Sequence, residues 1–144
     1  MIVPDANLLI YAHDSSSPNH KVARAWWEET LSGSAPVGIP WVVVLAFTRL
    51  MTHPSVCNDP LTTAEARAAV ELWLGVPHMR LLDARPTTLR LFFDLLEVTG
   101  RGGNLTTDAL IAAHALEQGG VVYSNDLDFD RFPNLVRNNP LDYS

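Results

Sequence analysis

The sequence predicts an α/β fold, a three-layer α/β/α sandwich around a short, mostly parallel central sheet. Three observations carry that expectation. Compact apolar runs of strand length recur at 1–4, 37–39, 79–82 and 121–123. Longer stretches with helical periodicity and helix start and stop signals separate them. Strands joined through helices need crossover connections, which favour parallel pairing. The 144 residues fit one domain, with enough chain to bury a core without staples.

In order along the chain, residues 1–4 read as a strand that Pro4 and Asp5 end. Leu8, Leu9, Ile10 and Tyr11 follow as an apolar helical turn or two. Ser17 as N-cap and Pro18 at the first helical position predict a helix running to Leu31. Ala23, Trp26, Trp27 and Thr30 lie on neighbouring positions of that helix, flanked by Val22 and Leu31, so both tryptophans are expected in the core. After the 37–39 strand, Pro40 opens a helix over Trp41–Met51. The Val42-Val43-Val44 run alone would suggest a strand, but no turn signal interrupts it before Leu50. Thr62 and Glu65 form a capping box for a helix ending near Gly75. Met79–Leu82 is a brief strand, and a helix from Pro86 stops at Gly100. Residues 105–117 are apolar almost all round and predict a buried helix, ended by Gly119-Gly120. Val121–Tyr123 is the next strand, Leu127–Phe132 a short turn or helix, and Leu135-Val136 a last edge strand.

Composition narrows the function. The chain is 47% hydrophobic and 18% charged, ordinary for a globular protein. Cys57 is the single cysteine, which leaves no internal disulfide or thiolate cluster and fits a reducing compartment. No apolar run approaches the roughly 18 residues of a membrane span, so a soluble, cytoplasmic protein without membrane partners is expected. A net charge of −6 argues against broad electrostatic capture of nucleic acid, though not against a nuclease whose acidic site binds cations. Nine of the ten basic residues are arginines, suited to planar phosphate contacts.

The chemistry-bearing pattern is a set of aspartates. Asp5 ends the first strand, Asp126 ends the strand near the carboxyl terminus, and Asp128 lies two residues on. Asp108 falls in the first turn of the buried helix leading into that strand. Parallel strands put their C-terminal tips on one edge, and the start of the 105–117 helix lies at the same edge. Each aspartate alone is explained as a turn former or by the helix dipole. Together they would repel unless cations sit between them. Oxygen-only ligands suit Mg²⁺ or Mn²⁺, which activate water and stabilise phosphoryl oxygens.

DANLLIYA at 5–12, GNLTTDALIAAHA at 103–115 and SNDLDFDRF at 124–132 resemble the PIN domain, in the form of the VapC-type toxins of toxin–antitoxin pairs. IPWVVVLAFTRL at 39–50, NPL at 139–141 and the overall length extend the likeness over essentially the whole chain. The resemblance implies a metal-dependent endoribonuclease that cleaves RNA, held inactive by a VapB-like antitoxin, and usually a homodimer. It implies metal-binding roles for Asp5, Asp108 and Asp126, with Asp128 a further acidic position in the catalytic set. Ser124 matches a small hydroxyl residue near the site, and Asn7 and Asn104 match accessory polar positions that flank it. One departure stands out. The family usually carries a glutamate where this chain reads Ala46-Phe47-Thr48-Arg49, so one acid of the expected quartet is missing. Water could fill that coordination place, Asp128 could compensate, or a second metal site could be weaker, so the site takes one or two Mg²⁺ or Mn²⁺ ions.

Other chemistries fit less well. The five histidines show no zinc spacing and are expected at the surface or the core edge. The Ser15–Ser17 run lacks nucleophile-elbow glycines, and the glycines at 100, 102 and 103 lack the Lys-Ser/Thr of a phosphate loop. A haloacid-dehalogenase phosphotransferase would need an acid where Asn7 stands. The alternative from another class is a binding protein on the same scaffold that has lost catalysis, which Ala46 favours. Arg49, Arg101, Arg131 and Arg137 are candidate phosphate contacts, although a solvated surface arginine is the more ordinary reading of any one of them.

Overall fold

A computed structural model describes residues 1–142. Five strands form one parallel sheet: β1 (Ile2–Pro4), β2 (Val37–Pro40), β3 (Met79–Leu82), β4 (Val121–Tyr123) and β5 (Arg137–Asn138). Six α-helices flank it: α1 (Ala6–His13), α2 (His20–Ser32), α3 (Trp41–Met51), α4 (Thr63–Leu74), α5 (Pro86–Thr99) and α6 (Thr106–Glu117). The predicted three-layer sandwich is thus observed. The strand order is β3-β2-β1-β4-β5. The chain therefore winds outward from central β1 to β3, then crosses back through α5 and α6 to lay β4 on the other side of β1.

The core explains why these segments take these forms. The Trp73 and Phe47 rings meet nearly edge-on at 4.7 Å, and Trp27 meets Trp73 at 5.6 Å, locking α2, α3 and α4 together. Val43, Phe47 and Met51 bury one stripe of α3, so the triple valine serves a helix. Trp26 is only half buried and stacks on Tyr123. Thr62 and Glu65 form the expected reciprocal cap of α4.

Three expectations are corrected. Helix α2 begins at His20, not at Pro18. The Ser17 amide donates to the Asp14 carbonyl and its hydroxyl accepts from the Asn19 amide at 3.1 Å, so Ser17-Pro18 belongs to turns before the helix. The last strand is Arg137–Asn138 rather than Leu135-Val136, because β4 pairs Val122 with Arg137 and Tyr123 with Asn138. Polar residues there suit an exposed edge. His114 is not at the core edge: it is 2% exposed within α6, and burial lowers its basicity.

Glycine at 120 is required by the sheet. A Cβ there would come within 2.6 Å of the Met1 carbonyl oxygen, which accepts the Val121 amide at 2.9 Å. Gly120→Ala is expected to push β4 from β1 and cost about 1–3 kcal/mol, read as a lower urea midpoint at constant m-value. Among the described residues no helix is long and apolar enough to cross a membrane.

Candidate metal centre

The strand order creates a switch point between β1 and β4, where the chain leaves a central strand in opposite directions. Asp5 stands at the tip of β1 and its amide donates to the Tyr123 carbonyl at 2.9 Å, closing the ladder between the tips. Its side chain is buried. Burial raises the Asp5 pKa, the Ser124 hydroxyl and the Ala6 and Asn7 amides offset part of that, and Asp126 adds repulsion.

Ser124 ties the two strand tips together. Its hydroxyl, fully buried, donates to Asp5 Oδ2 at 2.8 Å and accepts from the Asp126 amide at 2.9 Å. Asp126 Oδ1 in turn accepts the Asp128 amide at 2.9 Å, which starts the short 3₁₀ segment Leu127–Arg131. Phe129 anchors that segment in the core. Local chain geometry thus fixes Asp126 and Asp128 relative to Asp5.

Asp108 comes from the first turn of α6, after the 3₁₀ turn Gly103–Leu105. Carboxylate oxygens of Asp108, Asp126 and Asp128 lie within 4.8 Å of one another. Asp5 stands apart from this grouping, with Oδ2 turned to Ser124. Burial, then Asp5, Asp126 and Asp128, push the Asp108 pKa to about 7. The only described cation paired with the three is Arg131, whose Nε reaches Asp128 Oδ1 at 3.1 Å. Three hard oxygen donors with little compensating charge fit a divalent cation of the Mg²⁺ or Mn²⁺ type.

The other predicted positions differ in their setting. Asn104 is exposed and lines a cleft of about 430 Å³ together with Arg101, Gly102, Leu105, Asp128 and Arg131. Asn7 is half buried in the first turn of α1 and takes part in none of the described side-chain hydrogen bonds. Ala46 is half buried on α3 and packs against the core. A larger cavity of about 1000 Å³ lies against α2, lined by Trp26, Tyr123 and Pro140, without any of the clustered aspartates. Arg137, read from sequence only as a possible phosphate contact, is a brace. It grips Asp130 through two bonds of 2.9 and 3.1 Å and donates to the Ser124 carbonyl at 3.1 Å. No local spacing announces that role, because its partners meet it only once β5 has paired.

Comparison with known proteins agrees with this architecture. The PIN-domain family model matches residues 2–135. The chain is 40% identical to Ribonuclease VapC33 of Mycobacterium tuberculosis over 141 residues, covering 98% of this chain and 99% of that protein. The chain is a PIN-domain protein of the VapC family. Two solved VapC-related structures share its fold. VapBC2 from Rickettsia felis, bound to a DNA fragment from its promoter, has a TM-score of 0.68 at 20% identity, covering 96% of this chain and 98% of that one. Mycobacterium tuberculosis VapC20, a sarcin–ricin loop cleaving toxin, has a TM-score of 0.67 at 18% identity, covering 90% and 93%. Within this VapC chain the acidic cluster sits at the sheet's switch point, where α/β folds collect their ligands.

Proposed function

We propose that this chain is a Mg²⁺- or Mn²⁺-dependent endoribonuclease that acts in the cytoplasm as the toxin of a toxin–antitoxin pair. The observation that carries the reading is the convergence of Asp108, Asp126 and Asp128 beside buried Asp5 in a chain that matches VapC33 end to end. The name of that relative supports RNA as substrate, and the VapBC2 assembly supports a VapB-like antitoxin as partner. Homodimerisation is part of the same reading.

In this reading Asp5, Asp108 and Asp126 hold the cation, and Asp128 takes the place of the acid absent at Ala46. Bound there, the cation would supply Lewis acidity, activating water and offsetting charge on the scissile phosphate. The protein's own contribution is orientation. Ser124 fixes the Asp5 carboxylate, and the Asp128 amide fixes that of Asp126. Asp108, with its pKa pushed to about 7, holds a proton in the metal-free site below that pH and would give it up as a ligand. Asn7 and Asn104 serve as accessory polar groups at the rim.

The test is cleavage of RNA by the purified chain with Mn²⁺ or Mg²⁺. Cleavage is expected to stop with EDTA and in Asp5→Ala, read as product bands on a gel. Activity surviving Asp5→Ala would overturn the assignment of the site. Ala46 favours one other reading, a PIN-fold binding protein without catalysis. Tight metal binding by calorimetry with no cleavage of any cellular RNA would support it instead.

A further inference from the structure

We propose that Arg101 and Arg131 form a phosphate cradle that seats the RNA backbone beside the carboxylates, an inference that rests on the ribonuclease reading. A chain of net charge −6 with clustered aspartates repels a polyanion, so some local positive surface has to bring RNA to the site. The four arginines singled out in the sequence divide once their settings are known. Arg137 is committed to Asp130 and the Ser124 carbonyl, with its side chain 15% exposed. Arg49 is exposed on α3. Arg101 and Arg131 line one cleft with Asn104 and with Asp128, itself a member of the acidic cluster.

The cleft is therefore continuous with the site. Arg131 rests on Asp128 through Nε alone, in a pair whose side chains are 48% and 44% exposed. Such a solvated pair exchanges partners readily. A phosphodiester offers the same guanidinium two oxygens in the plane of its fork. Arg101 makes no ion pair among the described residues. It is exposed, in a loop where Gly100 and Gly103 take positive φ, so its side chain is open to a ligand. Asn104 adds an amide donor at the same wall. Asp128 thereby faces both ways, toward the acidic cluster and toward the cradle.

The deciding experiment titrates a fluorescein-labelled RNA hairpin with a single-stranded loop against the full chain in Ca²⁺, by anisotropy, across a series of salt concentrations. Arg101→Gln and Arg131→Gln are each expected to weaken binding about tenfold. Each should also lower the slope of log Kd against log salt by about 0.7. Arg131→Lys should recover part of the loss. Arg67→Gln removes the same charge from α4, which packs by β3 at the far side of the sheet, and should bind as the parent does. In Mn²⁺ the cradle variants should raise KM with a much smaller change in kcat. Parent-like affinity and slope in both variants, no RNA binding by the parent chain, or a fall in kcat at constant KM would each overturn the cradle. A chain that binds RNA through these arginines yet cleaves none would keep the cradle and overturn the ribonuclease reading.

Discussion

Asp108→Asn is expected to abolish RNA cleavage, by about 10³-fold or more, while making the metal-free protein more stable above pH 7. The two effects have one cause. Burial and the neighbouring carboxylates of Asp5, Asp126 and Asp128 push the Asp108 pKa from 3.8 to about 7. The folded chain holds that proton more tightly than the unfolded chain. The group therefore favours folding fully below about pH 4, and the contribution is lost as pH rises through about 7. Asparagine removes the ionisation. Because Asp108 is partly solvated, the gain at pH 8 is on the order of 1 kcal/mol, or roughly 2–4 °C in Tm. Mn²⁺ at about a hundred times its Kd should stabilise the parent by about 2.7 kcal/mol and the variant little. At limiting metal, parent activity should rise as pH passes about 7, and added metal should move that midpoint down, since binding expels the proton. A variant that melts lower than the parent at pH 8 without metal would contradict this account.

Ser124→Ala should lower both stability and activity, although the serine itself carries no charge. Its hydroxyl is the only described donor to Asp5 Oδ2 and accepts the Asp126 amide. Removing it leaves a buried carboxylate and a half-buried amide short of partners, a cost of about 1–3 kcal/mol, or roughly 3–10 °C in Tm. Activity should fall about 10–100-fold, in line with loss of a group that orients metal ligands. The hydroxyl also favours ionised Asp5, so its loss raises the Asp5 pKa further. The acid limb of the pH–rate profile is therefore expected to move to higher pH. A rate loss with an unmoved profile would mean that Ser124 acts on packing alone.

The fold was legible because its signals are local. The capping box at Thr62 and Glu65, the glycines after α6 and the apolar strand cores each act within a few residues. Asp5 and Asp126 could be set on one edge from parallel topology alone. The Ser17-Pro18 pair misled because an N-cap serine and a turn serine use the same hydroxyl, and only the Asp14 and Asn19 contacts separate them. Leu135-Val136 misled because edge-strand register follows pairing with β4 rather than apolarity. The finer grouping at the site was illegible for a similar reason. The cluster joins Asp128 to Asp108 and Asp126, whereas Asp5 turns toward Ser124, and that choice depends on side-chain directions at contacts distant in sequence. Arg137 was ambiguous until Asp130 and the Ser124 carbonyl came within its reach.

The bond between Asp5 and Ser124 joins residues 119 positions apart. Synthesis runs from the amino terminus, so Asp5 leaves the ribosome well before Ser124 and waits for its partner to be made. A nascent chain ending at residue 120 carries Asp5 and Asp108 but neither the serine that orients the first nor the acids that complete the cluster. The carboxylate site thus depends on two segments made far apart in time. Until residues 124–128 have been made, no nascent form of this chain holds the assembled cluster.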